Sequence, residues 1–165
     1  MESLFQVQPF VALDAFLLPA VAVGFHMDFH VKSPVEKLEP ETLHEWARRE
    51  PSVRYPLLGE SLHLFAAKRD EKNHESEELS PLYVAMLDQA PDKVAFFGDL
   101  WHRVHPRSWS GSLADVLAKR KTQMMKFADH PDAKVRDLMN EIMPELDRWI
   151  ERERARDRTS EESFE

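Results

Sequence analysis

Residues 127–136 read FADHPDAKVR. Phe127 closes one apolar pattern, Pro131 denies a continuing helix its amide, and Val135 opens a second pattern. From there Val135, Leu138, Met139, Ile142, Leu146, Trp149 and Ile150 recur at helical spacing, the stripe of an amphipathic helix. Pro144 falls inside this pattern without shifting its phase, so a kink rather than a break is expected there. The stretch reads as the corner of a helical hairpin.

Two weaker copies of the corner precede it, WARREPSVR at 46–54 and LDQAPDKVA at 87–95. Pro51, Pro91 and Pro131 are spaced by 40 residues, and Val53, Val94 and Val135 by 41. The physical demands on each corner are the same. A proline stops the first helix. Ser52, Asp92 or Asp132 then caps the second and complements its dipole. The valine is expected to point into the seam between neighbouring pairs, because one pair alone cannot bury both apolar faces.

Between the corners the helical grammar is plain. Pro40, Glu41 and Thr42 form an entrance, with Leu43, Trp46 and Ala47 on one face. Val53, Leu57, Leu58, Leu62 and Phe65 continue after the first corner, with Pro56 tolerated near the start. Residues 68–80, KRDEKNHESEELS, predict a solvated, mobile loop or a frayed helix end. Ser80-Pro81 is a strong helix start, followed by Leu82, Met86 and Leu87. Val94, Phe97, Leu100, Trp101 and Val104 predict one helix to about His105, and PRSWSG at 106–111 a loop. Ser112 and Asp115 suggest a capping box for Leu113, Val116, Leu117, Met124 and Phe127. Past Ile150 the apolar face ends, which predicts a solvating helix end and then a disordered tail. The apolar run FVALDAFLLPAVAVGF at 10–25 is interrupted by Asp14 and Pro19. It fits either a short helix with an extended segment or a half-hairpin docked on the first pair.

The period and the corner together resemble HEAT repeats, whose length falls in a window of roughly 40–47 residues shared with armadillo repeats. In that family an Asp-Pro turn is followed by Val and Arg opening the inner helix, as in Asp132, Val135 and Arg136 here. The first corner keeps Val53-Arg54, and the second departs from the pattern with Ala95. The resemblance covers about residues 38–155. It implies an all-α, HEAT-like right-handed solenoid of about three helical hairpins, at 37–67, 80–106 and 112–157. An apolar N-terminal segment, 1–36, is expected to pack on one end, and 158–165 to form a disordered charged tail. The family's arginine pairs with the turn acid to tie adjacent repeats, so Ala95 interrupts such a ladder at the middle repeat. The alternative is an irregular all-α bundle whose hairpins share a Pro-Val turn.

Composition narrows function mainly by exclusion. A chain of 165 residues, 42% apolar with ten Phe and four Trp, can bury a core as one domain. Without cysteine there is no disulfide scaffold, zinc ribbon or cysteine nucleophile. The net charge of −8 argues against general nucleic-acid binding and favours a basic partner or plain solubility. The run at 10–25 is short for a membrane helix and lacks the charged flank of a signal peptide, so a cytoplasmic protein is expected.

Chemistry is sparse. His26, Asp28 and His30 bring two imidazoles close in sequence, but zinc needs further ligands, so no metal and no cofactor are expected. His44-Glu45 does not continue to a second histidine at the zincin spacing, where Arg48 stands. His102 and His105 beside Arg103 and Arg107 fit an anion site or a polar helix end. Lys119-Arg120-Lys121 fits a phosphate contact, as in HEAT-like DNA-repair glycosylases, or more simply a solvated face. Trp46, Trp101 and Trp149 lie in helical phase and are expected in the core, while Trp109 breaks phase and suits a partner anchor.

These readings predict a non-enzymatic protein-binding helical module. Glu60, Asp99, Glu141, Trp109, Arg103 and Arg107 are its candidate contacts. A small acidic chain of this kind resembles bacterial immunity proteins that neutralise basic nuclease toxins. Two alternatives are a C-terminal capping module of a larger helical-repeat protein, with self-association through the N-terminal apolar segment, and a HEAT-like nucleic-acid enzyme.

Overall fold

Pro40, Pro51 and Pro81 each stand at the first position of a helix in the computed structural model, where a missing amide costs nothing. The structure describes residues 2–23, 33–69, 75–106 and 108–162, and these are mostly helical. Their contacts divide into two units. One comprises Met1–Leu64 and Ser80–Gly98, the other Phe65–Leu79 and Asp99–Glu165.

In the first unit the N-terminal run forms two helices, α1 (Glu2–Val7) and α2 (Pro9–Val23). Phe5 meets Phe16 edge-on at 5.6 Å, and Leu13 and Leu17 are buried. Asp14, which interrupts the apolar pattern, faces inward to a partner. Its carboxylate accepts a 2.7 Å hydrogen bond from Trp46 Nε1 and pairs with Arg54 at 3.3 Å. A buried indole N–H needs such an acceptor. In this way α2 packs on α3 (Pro40–Ala47) and α4 (Pro51–Ser61).

The next pair is α5 (Pro81–Gln89) and α6 (Lys93–Phe97). First helix lies against first and second against second: α3 contacts α5, and α4 contacts α6. The α4–α6 approach is very close. A Cβ added to Gly59 would lie 1.9 Å from the carbonyl oxygen of Phe96, so only glycine fits there. Tyr83, Phe96 and Phe97 fill the centre, with Tyr83 and Phe96 ring centroids 5.0 Å apart.

All three corners place a cation on backbone carbonyls at the end of the preceding helix or in the turn after it. Arg54 donates to the Trp46 oxygen at 3.2 Å. Arg136, in the second unit, donates to the oxygens of His130 and Pro131 at 2.7 and 2.8 Å. At the middle corner Lys93 does the work that Ala95 cannot, reaching the oxygens of Leu87, Asp88 and Ala90. The expected pairing of this arginine with the turn acid gives way to capping of the turn itself, which satisfies otherwise orphaned carbonyls.

Three local expectations are corrected. Ser52 is not the cap of α4, because Pro51 already occupies the first helical position and Glu50 the cap. The single helix expected across 93–105 is two short ones, broken at Gly98, whose φ of 56° is left-handed. Asp99 then restarts the chain as α7 (Leu100–Val104), accepting from the His102 amide. Because α6 is so short and buries Phe96 and Phe97, Val94 is turned outward and is 37% exposed rather than sealed in a seam.

The second unit holds the largest departure from expectation. Of the stretch 68–80 expected as a loop or frayed helix, residues 68–69 and 75–79 are strand. Phe65–Arg69 (β1) and Glu75–Leu79 (β2) form an antiparallel hairpin, with Phe65 opposite Leu79 and Arg69 opposite Glu75. Its anchor is Arg120 of α8 (Leu113–Met124), which packs against β2. The buried guanidinium grips both carboxylate oxygens of Glu77 at 2.6 Å, donates to the Val104 oxygen at 2.9 Å, and lies over the Phe65 ring. A planar fork suits this bidentate grip.

After a single 3-10 turn and the FADHPDAKVR corner comes α9 (Ala133–Glu162). Val135, Met139, Ile142, Leu146 and Ile150 are buried as their spacing predicts, and the helix continues through Pro144. It also continues well past Ile150. Its inward face turns polar there instead of ending: Glu153 is buried, and Asp157 accepts a 2.6 Å bond from Ser112 at the start of α8. The tail expected from residue 158 is therefore helical to Glu162.

Candidate partner-binding surface

The candidate surface grows from the short α7. Five residues after Asp99 the helix ends at Val104, and His105 takes an extended conformation. Its Nδ1 donates to the Pro106 oxygen at 2.7 Å, which fixes the ring. The imidazole stacks on Trp149 of α9, with centroids 5.2 Å apart and planes 23° from parallel. Trp109 meets the same imidazole edge-on at 5.8 Å and 81°. Trp101 contacts Trp149 from α7 at 6.1 Å. The indole of Trp149 donates to Glu153 at 3.2 Å, and Glu153 in turn pairs with Arg156 at 2.7 Å.

An aromatic stack therefore runs from the α9 helix out to the loop. Trp109 is its outer end and is 46% exposed. Such a ring is amphipathic, costs little entropy to fix, and is already held by its neighbours. It offers a partner a flat apolar contact or a face for a cation. No family model, curated protein or solved structure matches this chain.

The remaining candidate contacts among the described residues belong to α4, α7 and α9. Glu60 is exposed on α4, in the first unit, beside Gly98. Asp99 is exposed, but its carboxylate is engaged in capping α7. Glu141 is exposed on the outer face of α9. Arg103 is half-buried in the last turn of α7, where a cation complements the helix dipole. Arg107 lies outside the described residues, as do His26, Asp28 and His30. Among the described residues no group of three or more His, Asp or Glu is placed to hold a metal ion. None of the helices described is long and apolar enough to cross a membrane.

The basic run 119–121 is not a uniformly solvated face. Lys119 is exposed, Arg120 is the buried hairpin anchor, and Lys121 pairs with Asp147 of α9 at 2.5 Å. Two of its three charges are thus spent inside the unit. Trp101 and Trp149, expected in the core, are half-buried parts of the aromatic stack. Spacing marked Trp109 as out of phase, but it gave no sign that His105 would contact two tryptophans. That juxtaposition depends on α7 ending at Val104.

Proposed function

We propose that this chain is a non-enzymatic protein-binding module, built as a short HEAT-like array, whose partner is a basic protein. The observation that carries the reading is Trp109, an exposed tryptophan set edge-on against His105, which itself stacks on Trp149. Rigid exposed aromatics are the residues that dominate binding energy when buried by a partner. The overall charge of −8 favours a cationic partner and speeds its approach. Stacking of α3 on α5 and of α4 on α6 supports the array. Within that class, the most specific reading is that of an immunity protein neutralising a basic nuclease-type toxin.

The nucleic-acid alternative loses its main support, since Arg120 and Lys121 are engaged within the fold. The test is affinity capture on the immobilised chain, run alongside Trp109→Ala. A single basic protein should be retained at low salt, released at high salt, and lost on Trp109→Ala, and its nuclease activity should disappear when the chain is added in equal amount. Failure to retain any basic protein at low salt sinks the reading.

A further inference from the structure

The outer face of α9 carries a second, independent pattern. After Lys134, the acids Asp137, Glu141 and Glu145 lie before the middle of the helix and Arg148, Arg152 and Arg156 after it, all exposed and all on one stripe. Two intrahelical explanations fall short. Dipole complementarity acts within the first and last turns, whereas Glu141, Glu145 and Arg148 sit in the middle of a 30-residue helix. Like charges four residues apart destabilise a helix, and this stripe has such a pair at each i, i+4 step within both halves. Arg156 already pairs with Glu153 at 2.7 Å, but the bridge across the midpoint, Glu145 to Arg148, is loose at 3.6 Å, with both side chains more than half exposed.

The spacing is self-complementary. A two-fold axis crossing α9 between Leu146 and Asp147 would set two copies antiparallel. Asp137 would then face Arg156 of the second copy, Glu141 would face Arg152, and Glu145 would face Arg148, each twice by symmetry. No other residue of the stripe is left facing a like charge. We infer that α9 is a homodimerisation face, pairing antiparallel with a second copy of this chain through that charge zipper. The inference is independent of the Trp109 reading, because it uses neither Trp109 nor a foreign partner.

Exposed ion pairs are individually weak and screened by salt, so the dimer is a low-affinity one that needs low ionic strength. Sedimentation velocity of the whole chain, up to about 0.5 mM in low salt, should show a concentration-dependent dimer that is lost in high salt. Glu141→Arg and Arg152→Glu should each weaken it about ten-fold, since each change breaks two symmetric pairs and adds repulsion. Glu141→Arg combined with Arg152→Glu in one chain restores opposite charges across the axis and should restore the dimer. Both positions are exposed, and unchanged helical circular dichroism confirms that each variant folds. A chain that stays monomeric at low salt overturns the inference. So does a dimer that either single reversal leaves intact, or one that the combined reversal fails to restore.

Discussion

The two units hold their helices together by different means. In the first, α4 and α6 touch backbone to backbone at Gly59 and Phe96, and a cluster of Tyr83, Phe96 and Phe97 fills the space around them. In the second, a long apolar seam between α8 and α9 is flanked by polar fasteners: Arg120 on Glu77 and Val104, Ser112 on Asp157, and Lys121 on Asp147. Close packing tolerates almost no added volume. Polar fasteners tolerate volume but not the loss of one partner, because a buried charge is then left unpaired.

That contrast can be broken most sharply at Gly59. Gly59→Ala should destabilise the chain by about 3 kcal/mol, since the new methyl meets backbone that cannot swing away. Hydrogen exchange should show protection lost in α4 and α6 and kept in α8 and α9. Equal loss in both units would erase the distinction. Next in size is Arg120→Met, which preserves the apolar stem but removes the grip on Glu77 and Val104. A loss of about 2 kcal/mol in chemical denaturation is expected, less than for a fully buried pair because Glu77 is 42% exposed. The β hairpin should lose amide protection first.

Smaller still is Lys93→Met, which uncaps the carbonyls at the middle corner and should cost about 1 kcal/mol. If Arg136→Met and Lys93→Met cost the same within error, the lysine is a true substitute for the arginine of the third corner.

The mildest effect concerns pH. Tyr55 is buried and its hydroxyl shares a 2.5 Å hydrogen bond with His44 Nδ1. Desolvation raises its pKa above the ordinary value of 10.0, with Arg48 pulling weakly the other way. A raised folded-state value means that the folded chain holds its proton longer than the unfolded one. Stability from this group is therefore complete below pH about 10 and declines as pH rises through the folded value. Tyr55→Phe should flatten the alkaline limb of the stability profile, and an unchanged limb would assign that loss to other groups.

The helices were legible in the sequence wherever apolar residues repeat at helical spacing and a capping residue or proline marks the end. Asp92, Ser80 and Ser112 cap as their positions suggest, since capping is a local hydrogen bond to an amide three residues on. The break at Gly98-Asp99 was also written in the chain, as a glycine able to turn left-handed followed by a helix-capping acid. The apolar residues on either side kept helical phase and masked it. The hairpin at 65–79 was harder to see. Its charged strands lack the apolar alternation that marks a strand, and Phe65 and Leu79 meet only when the strands pair.

By itself, then, the sequence determined most of the helical segments between residues 40 and 150 and where many of them start, because these depend on spacing and on bonds between near neighbours. Only the tertiary structure decided that Arg120 of the basic run turns inward to hold the hairpin. It also decided that Lys93 replaces an arginine two residues from the expected place, and that His105 links Trp109 to Trp149. Each of these joins residues brought together by the path of the chain. Burial then selects the partner that pays the cost of removing a charge or an aromatic ring from water.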